Sequence, residues 1–161
     1  MEVIIEGLGL CLLLYLLCLS GIRNGAVNMV HLYGKDVQNR AIELGMTTQE
    51  KISNTAKKFK TIGLVTYFGY TMICVFVING TRGFIPSFLQ FTGIFLIMGI
   101  FDRIVVDVIW VGYTKAWIIP GTEDLMPYIP LKIHLMKWIV TLVVYPMVAL
   151  LICFLVSLFL K

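Results

Sequence analysis

Cysteine is sparse and unpaired in this 161-residue chain. Cys11, Cys18, Cys74 and Cys153 all stand inside apolar runs and no two form a CxxC pair, so neither a zinc-ligand spacing nor a disulfide framework is visible. Buried apolar thiols are the ordinary reading of such cysteines. Histidine is rarer still, with His31 and His134 alone, and no nucleophile–base pair stands out. The amino-terminal stretch MEVIIEGLGLCLLLYLLCLSG has no basic flank of the kind a cleaved signal carries. Leu17 is also larger than the residue a lipoprotein cleavage site takes before its cysteine. The stretch is therefore expected to be retained as a first span. No internal repeat relates the first two apolar stretches to the last two, which argues against an inverted-repeat transporter within one chain.

What the chain has in quantity is apolar length. Hydrophobic residues make up 59% of it and the mean hydropathy is +0.92, more apolar surface than one soluble core of this size could hide. The fold class expected is all-α: a polytopic integral membrane protein built as a four-transmembrane-helix bundle. It forms a single membrane domain over residues 1–161, with spans at about 3–22, 62–79, 88–113 and 133–160. Segments 23–61 and 114–132 are expected to be cytoplasmic, the first with an amphipathic helix before the second span. Charge sets this orientation. Seven Lys/Arg lie in residues 23–61, Lys115, Lys132 and Lys137 flank the later connection, and Arg82 and Lys161 fall on the other side. Ten against two fits the positive-inside rule, giving a multi-pass protein of the cell membrane with both termini outside. Three acidic residues interrupt the basic run, so the lipid bilayer and not nucleic acid is the expected partner.

Taken in order, Glu6 reads as an interfacial carboxylate near the outer end of the first span. Val30, Gly34, Val37, Ala41 and Leu44 recur at helical spacing, predicting an amphipathic helix from about Val27 to Leu44 that Gly45 ends. Within it His31, beside Tyr33, reads as a solvated or interfacial side chain. Thr47 to Glu50 matches a capping box with Thr47 as the cap, and no proline follows until beyond Asn79. One long helix is expected to run from there into the second span. Gly63, Tyr67, Tyr70, Thr71 and Cys74 line one side of that span, as packed transmembrane faces do. In the connection 114–131, Pro120, Pro127 and Pro130 predict a shaped loop, and Thr122-Glu123-Asp124 a single helical turn. Trp110, Trp117 and Trp138 with Tyr113 and Tyr128 read as an aromatic belt. His134, Trp138, Thr141 and Tyr145 form one stripe on the last span, with a kink at Pro146.

The third apolar stretch, Phe88 to Tyr113, carries Asp102, Arg103 and Asp107. A charge at the bilayer centre costs at least roughly 2.5–3.5 kcal/mol, so such residues face protein or water. On an α-helix the three fall within an arc of about 140°, shared with Thr92, Gly99, Trp110 and Thr114. Ile94, Ile97, Phe101, Ile104, Val105 and Val108 form the opposite, lipid-facing side. Two carboxylates against one guanidinium leave a net −1, which favours a cation or a proton.

Three functions are open on these residues. The first is an ion or small-solute site open to the cytoplasm, formed by Asp102, Arg103, Asp107, Trp110, Tyr67, Tyr70, His134, Thr141 and Tyr145. Four spans are few for a complete pathway, so it implies a homo-oligomer or a partner membrane subunit. The second is a metal-dependent enzyme acting on a lipid or isoprenoid phosphate, with a divalent cation held by Asp107, Glu123, Asp124 and His134. The third is a structural or regulatory subunit that docks through its basic amphipathic helix.

Overall fold

The computed structural model describes residues 1–159, with side chains through Leu158, and every regular element among them is helical. Leu160 and Lys161, at the end of the expected fourth span, lie outside the described residues. Three helices are long and apolar enough to cross a membrane: Glu2–Ile22 (α1), Gln49–Ile78 and Leu131–Leu158. The second is α3 (Gln49–Met72) continued by a π-helical segment, Ile73–Ile78. The third comprises α5 (Leu131–Ile139), a π-helical turn (Val140–Val144) and α6 (Tyr145–Phe159). That π turn comes just before Pro146, which cannot donate to the carbonyl four residues earlier and so favours a local change of winding.

α4 (Phe84–Phe101) and its π-helical continuation Asp102–Val111 form the enclosed centre of the fold. α1 packs along one side of α4 and α6 along another. Phe91 and Ile94 expose nothing. Ile94 is thus a correction to the expected lipid face, where Ile104 and Val108 do point outward. Gly99 explains the close approach of the last span: a Cβ there would lie 2.6 Å from the Thr141 methyl and 3.0 Å from the Tyr145 ring. Small residues at such crossings let dispersion contacts form between helices, which is where packing energy comes from in lipid.

The polar segment between α1 and α3 departs from the expected single helix. It is a 3₁₀ segment, Ala26–Leu32, then α2 (Lys35–Glu43). The break at Tyr33 and Gly34 has a tertiary cause, because extended backbone at Tyr33 lets its hydroxyl donate to the Trp117 carbonyl, 2.8 Å away. The end of α2 is as expected. Gly45 takes φ +70°, its N–H donates to Ile42 O and that of Met46 to Ala41 O, the paired bonds of a Schellman motif. α3 starts one residue later than expected. Thr48, not Thr47, is the cap, with its hydroxyl accepting from the Lys51 N–H at 3.2 Å. The helix then runs unbroken to Ile78, and the turn at Glu123–Leu125 forms as a 3₁₀ helix.

The aromatic belt is only partly a belt. Tyr113 is 82% exposed, but Trp117 and Tyr128 are buried. They belong to a cap in which the Tyr33 and Tyr128 rings pack at a 31° tilt with centroids 4.7 Å apart. The Tyr128 hydroxyl also lies 2.7 Å from that of Thr122. Burial, then the neighbouring Tyr128, raises the pKa of Tyr33, so the phenol stays a neutral donor.

Candidate functional site

The charged residues begin where α4 changes winding. An α-helix would set Asp102 and Asp107, five residues apart, about 140° from each other. The π-helical segment repeats its hydrogen bonds at i→i+5, a wider winding that narrows this angle, and both carboxylates lie within reach of one side chain. Arg103 fills that position. Its guanidinium donates to Asp107 Oδ2 at 2.5 Å through Nη1 and to Asp102 Oδ2 through Nη2. Arg103 is 7% exposed and Asp107 5%, so the pair is buried within the fold.

A fourth member comes from the last span. Lys137 Nζ donates to Asp107 Oδ1 at 2.7 Å, which leaves both oxygens of Asp107 occupied. This corrects the expected net −1: two carboxylates now face two cations, and the cluster is neutral. The electrostatic reason for expecting a bound cation goes with it. Sequence reasoning assigned Lys137 to the basic flank of a connection. Its spacing from Thr141 and Tyr145, four and eight residues on, is the one signal in the sequence that would have put it on their side of the helix.

Over this cluster lies a cavity of about 250 Å³. Asp102, Arg103, Asp107 and Lys137 line it together with Tyr67 and Tyr145 from the neighbouring spans. Apolar walls come from α1 and α4, and Tyr33, Trp117 and Ile129 close the side toward the cap. Pockets for drug-sized ligands start at roughly 300 Å³, so the space suits something smaller.

Other expected site residues lie elsewhere. Thr141 exposes nothing and donates to the Lys137 carbonyl at 3.1 Å, a packing role. Trp110 stands edge-on to Trp117 at 5.2 Å and packs on Tyr15 at 4.9 Å. His134 lines a separate cavity of about 320 Å³, which it shares with Asp107. Tyr70 reaches the far end of the fold, donating to the Glu6 carbonyl at 3.0 Å.

The expected metal set does not assemble. Among the described residues no group of three or more His, Cys, Asp or Glu side chains comes together as metal ligands. Asp124 pairs with Arg40 at 3.3 Å, and Glu123 accepts from the Gly121 N–H at 2.7 Å.

Two further polar sites were not read from the sequence. Glu6 is buried, a correction to its interfacial reading. Its Oε1 accepts from Asn79 at 2.8 Å, while Asn79 and Thr81 both donate to Gln90 Oε1. His31, expected as a solvated or interfacial side chain, packs its ring 5.2 Å from Phe59 with both nitrogens buried and unpartnered. No protein-family model, curated protein or solved structure matches this chain.

Proposed function

We propose that the helix 84–111 crosses the bilayer beside the three long apolar helices, and that the cavity over its charged cluster binds a small solute. In this reading both termini lie on the side opposite the basic connections, and the solute enters from the basic side. The observation that carries it is the cavity itself. An ion-pair cluster kept only to fix helix register needs no space around it, whereas all four charged residues here border about 250 Å³ of space. The low-dielectric surroundings make those charges strong orienting groups for whatever enters. Neutrality of the cluster turns the reading from an ion toward an uncharged or internally balanced solute. Four helices are enough for a binding pocket, and carrying the solute across would need a second copy or a partner subunit.

Cys18 provides the test, since it lines the cavity and the other three cysteines do not. With Cys11, Cys74 and Cys153 replaced by serine, a small membrane-impermeant thiol reagent is applied to vesicles of each orientation. Labelling of Cys18 from the face that bears residues 23–61, and not from the other, is the expected result. Labelling only from the opposite face, or from neither, contradicts the reading.

A further inference from the structure

Away from the cavity, the strongest concentration of unpaired charge lies on α3 just before its apolar stretch. Resting on the reading that these helices cross a bilayer, and not on any solute in the cavity, we infer that Lys57, Lys58 and Lys60 form a docking site for an anionic phospholipid. The lysines hold its phosphate-bearing headgroup, and the exposed apolar side chains that follow them meet its acyl chains. Depth and chemistry point there separately.

Depth follows from α1. Its 21 residues rise about 31 Å at 1.5 Å per residue, close to the roughly 30 Å of a bilayer's hydrocarbon, so its two ends mark the two edges. α3 runs antiparallel beside it. The Tyr70 hydroxyl donates to the Glu6 carbonyl at 3.0 Å, and a Cβ at Gly63 would lie 3.9 Å from a Leu17 methyl. Continued to the end of α1, this register sets Ile22 and the exposed Arg23 near the level of Lys57 and Lys58. α3 gives the same level by itself, since its large exposed apolar side chains begin at Ile62. The three lysines thus stand at headgroup height.

The chemistry of the surface fits the same partner. Ile52 is buried and Phe59 packs on His31, so that stripe of α3 is covered by the 3₁₀ segment 26–32. Lys57, Lys58 and Lys60 lie off the stripe and are exposed. Among the described residues none of the three is in an ion pair. The one acid on α3, Glu50, is about 10 Å from Lys57 along the axis. At helical spacing Lys57 stands over Leu64, and Lys58 over Ile62 and Val65. Those three are 56%, 51% and 69% exposed in that order. Cations set above outward apolar side chains complement an amphiphile with its charge at one end. A free phosphate or a nucleic acid would leave the apolar stripe uncovered. Each lysine near an anionic leaflet strengthens association about fivefold.

The test uses the full chain in phosphatidylcholine nanodiscs, with its native cysteines replaced by alanine and a bimane fluorophore on Thr61→Cys, beside the lysines. Phosphatidylserine or phosphatidylcholine carrying a nitroxide high on one acyl chain is added as the quencher. The serine lipid should associate at least about fivefold more strongly than the choline lipid. Raising salt from about 0.1 M to about 1 M, which shortens the screening length from about 10 Å to about 3 Å, should shrink that preference. The triple variant Lys57→Gln, Lys58→Gln, Lys60→Gln should bring the two lipids close to equal. Lys51→Gln, about 9 Å farther from the bilayer than Lys57, should change the ratio much less. Equal quenching by the two lipids in the unsubstituted chain overturns the inference while leaving α3 in the membrane, as does a preference that survives the triple variant. Loss of the preference on adding millimolar inorganic phosphate assigns the lysines to a soluble anion and overturns it too. Quenching by neither lipid takes α3 out of the bilayer and fails the underlying reading together with the inference.

Discussion

Arg103 holds two carboxylates at once, and removing one member of a buried pair is much costlier than never having built it. Arg103→Met is therefore expected to lower the stability of the detergent-solubilised protein by about 3–5 kcal/mol. Lys137→Met should cost less, because the Lys137 side chain is 32% exposed and water already screens part of its bond to Asp107. Unfolding curves for the two variants give the order directly, and a larger loss at Lys137 would contradict it. His31 makes a different kind of prediction. Burial lowers its pKa below the ordinary value of 6.5, and nearby Lys60 pushes the same way. The unfolded chain then takes up the proton first as pH falls, so this contribution to stability is complete above about pH 6.5 and lost through the folded-state pKa below it. His31→Phe should flatten the pH dependence of the unfolding midpoint between about pH 7 and pH 5. The charges on the helix 84–111 were legible at this scale because carboxylates stand out in an apolar run. Lys137 was not, since a lysine at the foot of a span is most often a topological anchor whose reach to a neighbouring helix depends on the packed structure.

Helix crossings and caps are set by single small groups. Gly99→Ala would drive a methyl into Thr141, with overpacking of this kind costing about 1–3 kcal/mol. Thr141→Ser removes the methyl that is struck first, so the double variant is expected to regain part of the loss in thermal unfolding; no recovery would mean that the Tyr145 contact dominates. At the start of α3, Thr48→Ala should cost about 1 kcal/mol while Thr47→Ala leaves the cap bond intact. Long helices and the stop at Gly45 could be read from the chain because they follow from local rules: apolar length, absence of proline, and a residue free to take positive φ. The break after Leu32 could not. The helical period continues through Tyr33 and Gly34, whereas the extended backbone there goes with tertiary contacts, among them the bond to the Trp117 carbonyl 84 positions away. The change to π winding at Asp102 was hidden for the same reason, and with it the shared pairing of the two carboxylates with Arg103.

The whole molecule places its polar groups at two levels, with Glu6, Asn79 and Gln90 toward one end and the charged cluster toward the other. Composition made the all-helical, membrane-like character plain. It did not distinguish an exposed third apolar stretch from a packed one, because α4 is apolar apart from Ser87, Gln90 and Thr92 and only packing decides which of its sides is covered. The proposed site needs the helix 84–111 to lie within the hydrocarbon with its charges packed inward, so the depth of that helix is the quantity to measure. Spin labels placed singly at Ile104 and Val108, which point outward at 46% and 40% exposure, report that depth through their collision rates with oxygen, enriched in hydrocarbon, and with a water-soluble nickel chelate. In reconstituted bilayers both labels should collide freely with oxygen and hardly at all with the chelate. Ready collision with the chelate at both positions would put the helix and its four charged side chains outside the hydrocarbon and contradict the proposed site.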